Sequence, residues 1–559
     1  MYQTIKATKI QLGDLLDDSN FFTVPEFQRE YVWDKDNVNQ LLDDLWEAYQ
    51  ESDNMEYFVG SLVLVEKNPN SKEYEILDGQ QRLTTFILLL ATIKEMENSL
   101  KEYIQECLFS KGNKLRGIPQ RDRLTYKIRG KANSFLRNYI QYGTIERNIK
   151  NVSVNNFINT IETIKKFLRN RKADLEKFTT FLFQKVIFVQ IVTGNIEEGF
   201  KIFNTLNNRG IPLSTADILK AENIGVITEQ EGEKAEEYAK EWEEIEDLWE
   251  GDIERLLGYI RTILIKEKAR KGLLNEFKEK IYSKGLLSKG KETLEIVKEY
   301  NEYYQKLINY TVNESIIRTN RHEDIIYKNL IEIMKIGLPS KEWISALLYF
   351  YKKFNEDNLL NFLIKLEFKV SNDWVLYVTP TKRINNINNI LKTIEKAKSG
   401  KTVVSNSEIF QVDTKRLRET LLDNVYGKRF VKYLLLKYNF LKRDCSNVIS
   451  NYGKFISVEH ILPQNPSKNS QWRKWFTDEE IARYKHRLGN LVLLNRIKNI
   501  KLSNKDFEEK KRRYFEGSRG TYIITDEIFR KGEWKKEDIE KRSREIVEKL
   551  VRISYPDCK

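Results

Sequence analysis

Strand-like patterns are confined to the two ends of this 559-residue chain, which limits the folds that it can adopt. Between residues 221 and 440 the sequence is rich in Leu, Ile, Lys and Glu at helical spacing and lacks the apolar-polar alternation typical of strands. A chain of this length is expected to contain two to four domains. We therefore predict a multidomain α+β protein, with an α+β domain over residues 1–230, a mostly helical linker or relay region over 231–425 and a third domain over 426–559.

The N-terminal part alternates short strands with helices. Tyr57–Glu66 and Glu73–Leu77 predict a hairpin around the turn-forming string KNPNSK. Apolar residues at helical spacing or in a short apolar run predict the remaining elements. These are helices over Asp36–Tyr49, Leu83–Met96 and Ile196–Leu206 and a strand over Val186–Gly194.

Charge is distributed unevenly along the chain, whose formal net charge is +13. Residues 111–150 contain 11 Lys and Arg against 2 Asp and Glu, and residues 441–520 contain 18 against 9. Residues 221–260 have the opposite bias, 3 against 14. Two basic blocks beside an acidic one favour a nucleic-acid surface and a separate solvated or partner-facing helix. Lysine used only for solubility is the alternative.

Three widely spaced cysteines fit a reducing cytoplasm and exclude a zinc site built from cysteines. The N-terminus lacks the pattern of a signal peptide. The longest apolar run near it, Phe86–Ala91, is too short to cross a bilayer. We expect a cytoplasmic protein without a membrane partner.

The chain has only three histidines, and one of them, His460, lies in the string SVEHILPQ. The string GNLVLLN, Gly489–Asn495, follows, and then Asn499. Histidine titrates near neutral pH and suits a general base that activates water, while Glu459 and Asn499 offer oxygen ligands of the kind that Mg²⁺ prefers. The strings FISVEHI and LVLLN predict a hairpin, and a helix over Asn504–Phe515 follows it. Such a platform suits metal-assisted phosphodiester hydrolysis.

Other interpretations of these residues stay open on residue chemistry alone. A lone histidine such as His460 is more often an ordinary buried residue. We interpret His322 as a surface residue and His486 as part of a helix face. In the string QWRKW, Trp472, Arg473 and Trp475 either contact a DNA backbone or pack against the domain.

Together, SVEHILPQ, RLGNLVLLN and NIKLSNKDFEEKK resemble the HNH-type (His-Me finger) nuclease domain of modification-dependent type IV restriction enzymes such as GmrSD. The resemblance covers about residues 420–559 and implies a ββα-metal finger within a helical domain. It implies that His460 is the general base and that Asn490 holds its loop or ring. It places Glu459 and Asn499 near a metal ion, Mg²⁺ or Mn²⁺.

The same resemblance suggests residues that contact DNA. Lys510 or Lys511 falls where relatives carry a lysine that faces a phosphate. Arg473 is a further candidate, which rests on its place in the string between the two strands and not on the resemblance.

A second group of polar residues follows the predicted strand Glu73–Leu77. No P-loop string is present. Asp78 and Gly79 nevertheless predict a tight turn before a helix, and a helix N-terminus favours phosphate. Arg82 adds a fork of donors in the first turn of that helix. A plain strand-turn-helix with polar surface residues is the alternative.

Two further strings accompany DGQQR, namely VPEFQREYVW (Val24–Trp33) and FNTLNNRGIPLSTADILK (Phe203–Lys220). In this order, the three strings resemble the ParB-like domain found upstream of the nuclease described above, over about residues 1–230. The resemblance implies a domain that binds and hydrolyses a nucleoside triphosphate, such as GTP, and senses modified DNA. The nucleotide-binding residues that it implies are Asp78, Gly79, Gln80, Gln81 and Arg82, joined by Gln28, Arg29, Asn207 and Arg209.

Three aromatic residues in the first string are candidates for contact with a modified nucleotide. Phe27, Tyr31 and Trp33 would flank the base, since base-aromatic stacking contributes ~1–3 kcal/mol per base. The alternative for these rings is packing in the core.

Together, the two resemblances imply a modification-dependent DNA endonuclease or nickase of an anti-phage defence system, with nucleotide turnover at one end regulating cleavage at the other. Its expected partners are modified double-stranded DNA and a nucleoside triphosphate. The alternative is a nucleotide-gated DNA-binding module, or a toxin whose finger is inactive or acts on RNA. The sequence leaves open which mark is sensed, which nucleotide is used, whether one or both strands are cut and whether the chain forms a homodimer.

Overall fold

The fold is taken from a computed structural model, which describes the following residues: 5–17, 20–25, 28, 30–51, 56–66, 71–113, 115, 118–127, 130–147, 151–171, 174–194, 199, 214–231, 234–310, 314–443, 448, 456–495, 504–516 and 522–553. The chain divides into two compact units. The first unit comprises Met1–Leu257 and Tyr282–Lys298, and the second comprises Gly258–Ile281 and Glu299–Lys559. The three domains proposed from the sequence stay a prediction.

Strands occur near both ends of the described chain, as the sequence predicts. They are β1 (Lys6–Gln11), β2 (Phe21–Val24), β3 (Tyr57–Glu66), β4 (Glu73–Asp78), β5 (Phe109–Ser110), β6 (Arg121–Asp122), β7 (Leu124–Tyr126), β8 (Val186–Thr193), β9 (Ile456–His460) and β10 (Leu491–Asn495). The first unit contains a six-stranded mixed sheet with the order β1-β8-β3-β4-β2-β7. Strands β3 and β4 are antiparallel, which confirms the predicted hairpin, whereas β2 is parallel to both β4 and β7.

Helices precede, connect or follow the strands of this sheet in the first part of the chain. They are α1 (Leu12–Leu15), α2 (Lys35–Glu51), α3 (Gln80–Met96), α4 (Lys101–Leu108), α5 (Gly130–Tyr142), α6 (Val152–Arg171), α7 (Leu175–Lys185), α8 (Thr215–Glu231) and α9 (Lys234–Leu248). Helix α3 is apolar on nearly every side, with all residues from Leu83 to Lys94 buried. A helix of this composition belongs in the middle of a core, and it therefore holds the DGQQR motif at a fixed place. The predicted helix Ile196–Leu206 lies outside the described residues.

The long middle stretch is helical, as the sequence predicts, and further helices occur as far as Leu550. They are α10 (Ile253–Ile265), α11 (Leu273–Glu276), α12 (Lys291–Leu307), α13 (Arg321–Gly337), α14 (Trp343–Phe354), α15 (Leu359–Val375), α16 (Pro380–Lys396), α17 (Gly400–Ser405), α18 (Thr414–Leu422), α19 (Val431–Leu441), α20 (Gln471–Trp475), α21 (Asp478–Tyr484), α22 (Phe507–Phe515), α23 (Ile523–Phe529) and α24 (Lys536–Leu550). A π-helical segment, Phe277–Tyr282, follows α11. This confirms the α+β, multidomain class.

The second unit contains the hairpin predicted near residue 460. Strands β9 and β10 are antiparallel, with His460 opposite Leu491 and Glu459 opposite Val492. Helix α22 follows, but it begins at Phe507 rather than at the predicted Asn504. The residue before the helix, Asp506, is fixed by a long-range contact, because its Oδ1 accepts a hydrogen bond from the main-chain N–H of Gln471 at 2.9 Å.

An apolar core packs against the hairpin and includes Val492 and Leu494 of β10. Trp472 is fully buried in this core, and its indole N–H donates to the carbonyl of Lys505 at 2.9 Å. The ring of Phe507 lies 6.0 Å from that of Trp472. Trp472 therefore packs against the domain and does not face a DNA backbone in this structure.

Among the helices that the structure describes, none combines the length and the apolar composition needed to span a bilayer.

Candidate active site

His460 is the last residue of β9, and the fold places its imidazole inside the domain. The side chain is only 3% exposed, and the ring of Tyr426 meets it edge-on with 4.1 Å between centroids. Burial lowers the pKa of His460 to about 3, and the neighbouring His486, Lys510 and Lys485 act in the same direction. The imidazole is therefore neutral at physiological pH, and in this buried setting it is a weaker base than a free imidazole.

Asn490 fixes the chain immediately after His460. Its Oδ1 accepts from the N–H of Leu462 at 2.8 Å and from the indole of Trp534 at 3.3 Å. Its Nδ2 donates to the carbonyls of Leu462 and Lys485, both at 2.9 Å. These four hydrogen bonds occupy the whole amide group of a fully buried side chain. Of the two roles predicted for Asn490, the structure gives it the one of holding the loop.

Gly489 lets helix α24 approach the hairpin closely. A Cβ at this position would collide with the carbonyl oxygen of Ile539 and with Oγ of Ser543 on that helix. Ser543 Oγ accepts a hydrogen bond from the N–H of Gly489 at 3.1 Å. The buried guanidinium of Arg542 donates to the carbonyls of Gly489 and Leu491 at 2.6 and 2.9 Å. Helix α24 therefore packs against β10 at the GNL string, through these hydrogen bonds and the close approach at Gly489.

Lys510 and Glu459 form a buried pair beside the histidine. Lys510 Nζ lies 3.2 Å from Glu459 Oε1 and donates to the carbonyl of His460 at 2.6 Å. Burial raises the pKa of Glu459, and the lysine opposes that shift. Burial likewise lowers the pKa of Lys510. Because Lys510 is 0% exposed, it faces the hairpin and not a phosphate in this structure.

The other two candidates for DNA contact lie nearer the surface. Lys511 donates to the carbonyl of Lys531 at 3.0 Å. Arg473 is partly exposed and forms an ion pair with Asp478. Contact between DNA and either residue stays a prediction.

His486 is a neighbour of His460 that the sequence did not reveal. It lies in the turn after α21, not on a helix face as predicted. Its Nδ1 is 3.2 Å from Nε2 of His460, and its ring stacks on Tyr426 with 5.2 Å between centroids and 6° between planes. The signal was present in HRLGN, where His486 stands four residues before Asn490. Tyr426 lies outside the motifs of the sequence, so no local pattern pointed to it. His322 is exposed at the start of α13, as predicted.

The described residues do not by themselves form a divalent-cation site. Within this part of the chain, no group of three or more His, Cys, Asp or Glu side chains is arranged to hold a metal ion. Glu459, one predicted ligand, has a lysine ammonium at its carboxylate. Asn499, the other, lies outside the described residues. The fit to Mg²⁺ is thus incomplete.

The DGQQR motif joins strand β4 to helix α3. Gly79 has a φ of 93°, a left-handed conformation that glycine adopts readily, and no side chain caps the helix there. Arg82 donates to the carbonyl of Val59 at 3.2 Å and lies 3.5 Å from a carboxylate oxygen of Asp78. Gln80 is almost fully buried, and its Nε2 has no hydrogen-bond partner among the residues that the structure describes.

Two glutamines tie the first string to this motif. Gln81 Oε1 accepts from the N–H groups of Val32 and Trp33 at 2.9 and 3.3 Å, and its Nε2 donates to the carbonyl of Glu30 at 2.9 Å. Gln28 donates to the carbonyl of Leu77 at 2.9 Å. The structure thus brings Gln28 to the motif. Arg29, Asn207 and Arg209 lie outside the described residues.

The aromatic residues of the first string differ in their placement. Tyr31 is 0% exposed, and its hydroxyl pairs with Thr85 at 2.8 Å and Thr160 at 3.1 Å. Burial raises the pKa of this phenol. Tyr31 is therefore a core residue that cannot flank a nucleotide in this structure. Trp33 is partly buried against the core, and Phe27 lies outside the described residues.

Comparison with protein families gives two matches. Residues 12–224 match the model described as the N-terminal domain of GmrSD restriction endonuclease. Residues 411–549 match the model described as the C-terminal domain of GmrSD restriction endonucleases. The first match contains DGQQR, and the second contains the hairpin with His460. No curated protein matches the chain.

Proposed function

The chain belongs to the GmrSD restriction endonucleases, and we propose that it cuts or nicks modified DNA in anti-phage defence, under the control of a nucleoside triphosphate. The observation that carries this proposal is the setting of His460. A neutral imidazole ends a rigid hairpin, Asn490 fixes the loop that follows, and the Glu459–Lys510 pair lies alongside. We place the enzyme in the cytoplasm, where its DNA substrate enters.

The proposed reaction is hydrolysis of a phosphodiester with His460 as general base. The imidazole takes a proton from water, the water oxygen bonds to phosphorus, and the bond from phosphorus to the leaving oxygen breaks. The leaving oxygen then takes a proton from solvent. Mg²⁺ or Mn²⁺ near Glu459 and Asn499, which is part of the proposal, would supply positive charge beside the phosphate.

Cleavage assays of the full chain test the catalytic assignment. General-base catalysis contributes roughly 10²–10⁴-fold in rate, so His460→Ala should lose cleavage by about that factor. The matched control is His322→Ala, at the exposed histidine of α13. Modified plasmid, carrying phosphorothioate or glucosylated hydroxymethylcytosine, is compared with unmodified plasmid in Mg²⁺, Mn²⁺ and EDTA. Undiminished cutting by His460→Ala would overturn the assignment, and equal cutting of both plasmids would overturn modification dependence.

We further propose that the N-terminal domain binds and hydrolyses the nucleotide at DGQQR. Support comes from the uncapped N-terminus of α3, from the partly exposed guanidinium of Arg82, and from Gln28 and Gln81, which hold the first string against the motif. Arg82→Ala should abolish nucleotide hydrolysis, whereas His460→Ala should leave it unchanged. GTP and ATP are both assayed. Unchanged turnover in Arg82→Ala would remove this part of the proposal.

One observation favours the alternative, in which the finger is inactive or acts on RNA. His460 is almost fully buried, and the carboxylate of Glu459 is paired with Lys510. The ring of Tyr426 also packs edge-on against the imidazole, with 4.1 Å between centroids. Absence of DNA cleavage under every condition above, or cleavage of RNA alone, would support this alternative.

A further inference from the structure

His460 and His486 share a hydrogen bond, and the role proposed for His460 determines which of the two rings donates it. Nε2 of His460 and Nδ1 of His486 lie 3.2 Å apart. A neutral imidazole has one N–H and one lone pair, so one ring must donate and the other accept. If His486 donated, the lone pair of His460 would be used in that bond, and no lone pair would remain free to meet a water molecule. Only donation from His460 to His486 leaves a lone pair, on Nδ1 of His460.

The chain holds His486 firmly in this position. Its carbonyl accepts from the N–H groups of Val425 and Tyr426 at 3.1 and 3.4 Å, and Arg487 forms a β-bridge with Asn424. The segment that follows α18 therefore packs against the turn after α21. This pairing places the Tyr426 ring parallel to His486 and edge-on to His460.

The two imidazoles differ in their access to solvent. His460 is only 3% exposed. His486 differs from His460 in being partly exposed. The outer ring thus connects a buried imidazole to the surface.

We propose that His486 is a positioning residue for the nuclease site, whose Nδ1 accepts the Nε2–H of His460 and so fixes the tautomer with its basic lone pair on Nδ1. Tyr426 holds the two rings in register. The inference rests on the proposed function, since it gives His460 the role of base. When Nδ1 of His460 takes the proton of water, Nε2–H still donates to His486, so the ring keeps its orientation. Partners that orient a catalytic histidine act in this way in other enzymes.

Two substitutions separate the hydrogen bond from the volume of the ring. His486→Phe fills the space but removes the acceptor, and loss of such a partner lowers activity by about 10–100-fold. His486→Asn keeps an acceptor near the position of Nδ1 and should restore most of kcat. KM for DNA should change little in either variant. A kcat for His486→Phe equal to that of the wild type would overturn the inference, as would equal losses in the two variants.

A spectroscopic measurement decides the same point without relying on cleavage. Protein labelled with ¹⁵N-histidine gives signals from only three imidazoles, and His322→Phe and His486→Phe assign them. His460 should be the Nε2–H tautomer in the wild type and a mixture of tautomers in His486→Phe. A wild-type His460 protonated on Nδ1 would overturn the inference. Because this readout needs no DNA, loss of the proposed nuclease function and loss of the His460–His486 arrangement are told apart.

Discussion

The ammonium of Lys510 lies 3.2 Å from the carboxylate of Glu459, and neither group has substantial access to solvent. The same ammonium donates to the carbonyl of His460. One lysine from α22 therefore connects the helix to two adjacent residues of β9. Because transfer of a charge from water is costly, each member of such a pair depends on the other.

Lys510→Met should destabilise the second unit strongly. It leaves the Glu459 carboxylate buried without its cation, and breaking a buried pair in this way costs about 3–5 kcal/mol. The midpoint of urea unfolding measures the effect. The matched control is Lys511→Met, at the next residue and nearer the surface, which should change the free energy of unfolding by less than about 0.5 kcal/mol. Similar shifts in the two variants would contradict the structural role given to Lys510.

Asn490→Ala should lower both stability and cleavage. The N–H of Leu462 and the indole of Trp534 would lose their acceptor, and an unsatisfied buried group costs about 1–3 kcal/mol. The loop after His460 would also shift, and a displacement of about 1 Å can reduce a rate by about 100-fold. Urea unfolding and plasmid cleavage measure the two effects.

Asn388→Ala is the control for that substitution. Asn388 is also buried in the second unit, but its Oδ1 has no hydrogen-bond partner among the described residues. It should affect stability less and leave cleavage unchanged. Cleavage that is normal in Asn490→Ala would show that this amide does not position the base.

Much of the fold could be predicted because local patterns determine it. The short apolar run at β10 predicts a buried strand that pairs with its neighbour β9, and the apolar helix α3 must lie in a core. The predicted start of α22, Asn504, was wrong by three residues. Asp506, just before the helix, accepts a hydrogen bond from Gln471, which is distant in sequence. Helix boundaries depend on such contacts, which a local pattern does not contain.

The site was predictable only where its residues form motifs. His460, Glu459 and Asn490 were found because they stand in short strings with a chemical rationale. His486 and Tyr426 were missed because their contacts with His460 are long-range. His486 lies in the turn after α21, and Tyr426 lies in the segment after α18. Tyr31 appeared suited to stacking on a base, yet its hydroxyl finds Thr85 and Thr160, which lie 54 and 129 residues away in sequence. Long-range hydrogen bonds of this kind decide which aromatic residues are core.

Acid should destabilise the second unit through Glu276. Burial raises the pKa of this carboxyl, but hydrogen bonds from Arg261, the N–H of Arg270 and Lys280 outweigh that effect and lower it from 4.5 to about 2. Because the folded pKa lies below the unfolded one, the folded chain binds fewer protons. The resulting stability, on the order of 3 kcal/mol, is present above pH 4.5 and is lost as the pH falls toward 2.

Glu276→Gln tests this source of acid sensitivity. The variant should be less stable at pH 7, and its urea midpoint should fall less steeply than that of the wild type between pH 4.5 and 3. Glu279→Gln is the control, because that carboxylate is about half exposed and pairs with Lys271 at the surface. A pH profile that is the same in Glu276→Gln and the wild type would contradict the prediction.

Gly489→Ala should damage the finger although it adds only a methyl group. The new Cβ would collide with the carbonyl of Ile539 and with Ser543, so α24 would have to move away from β10. Overpacking of this kind costs about 1–3 kcal/mol. It would also displace Asn490, the adjacent residue, and cleavage should fall with stability. Gly532→Ala is the matched control, since a Cβ there meets nothing within 4 Å. Urea unfolding and plasmid cleavage are measured for both variants, and an unimpaired Gly489→Ala enzyme would show that close approach of α24 is not required at this site.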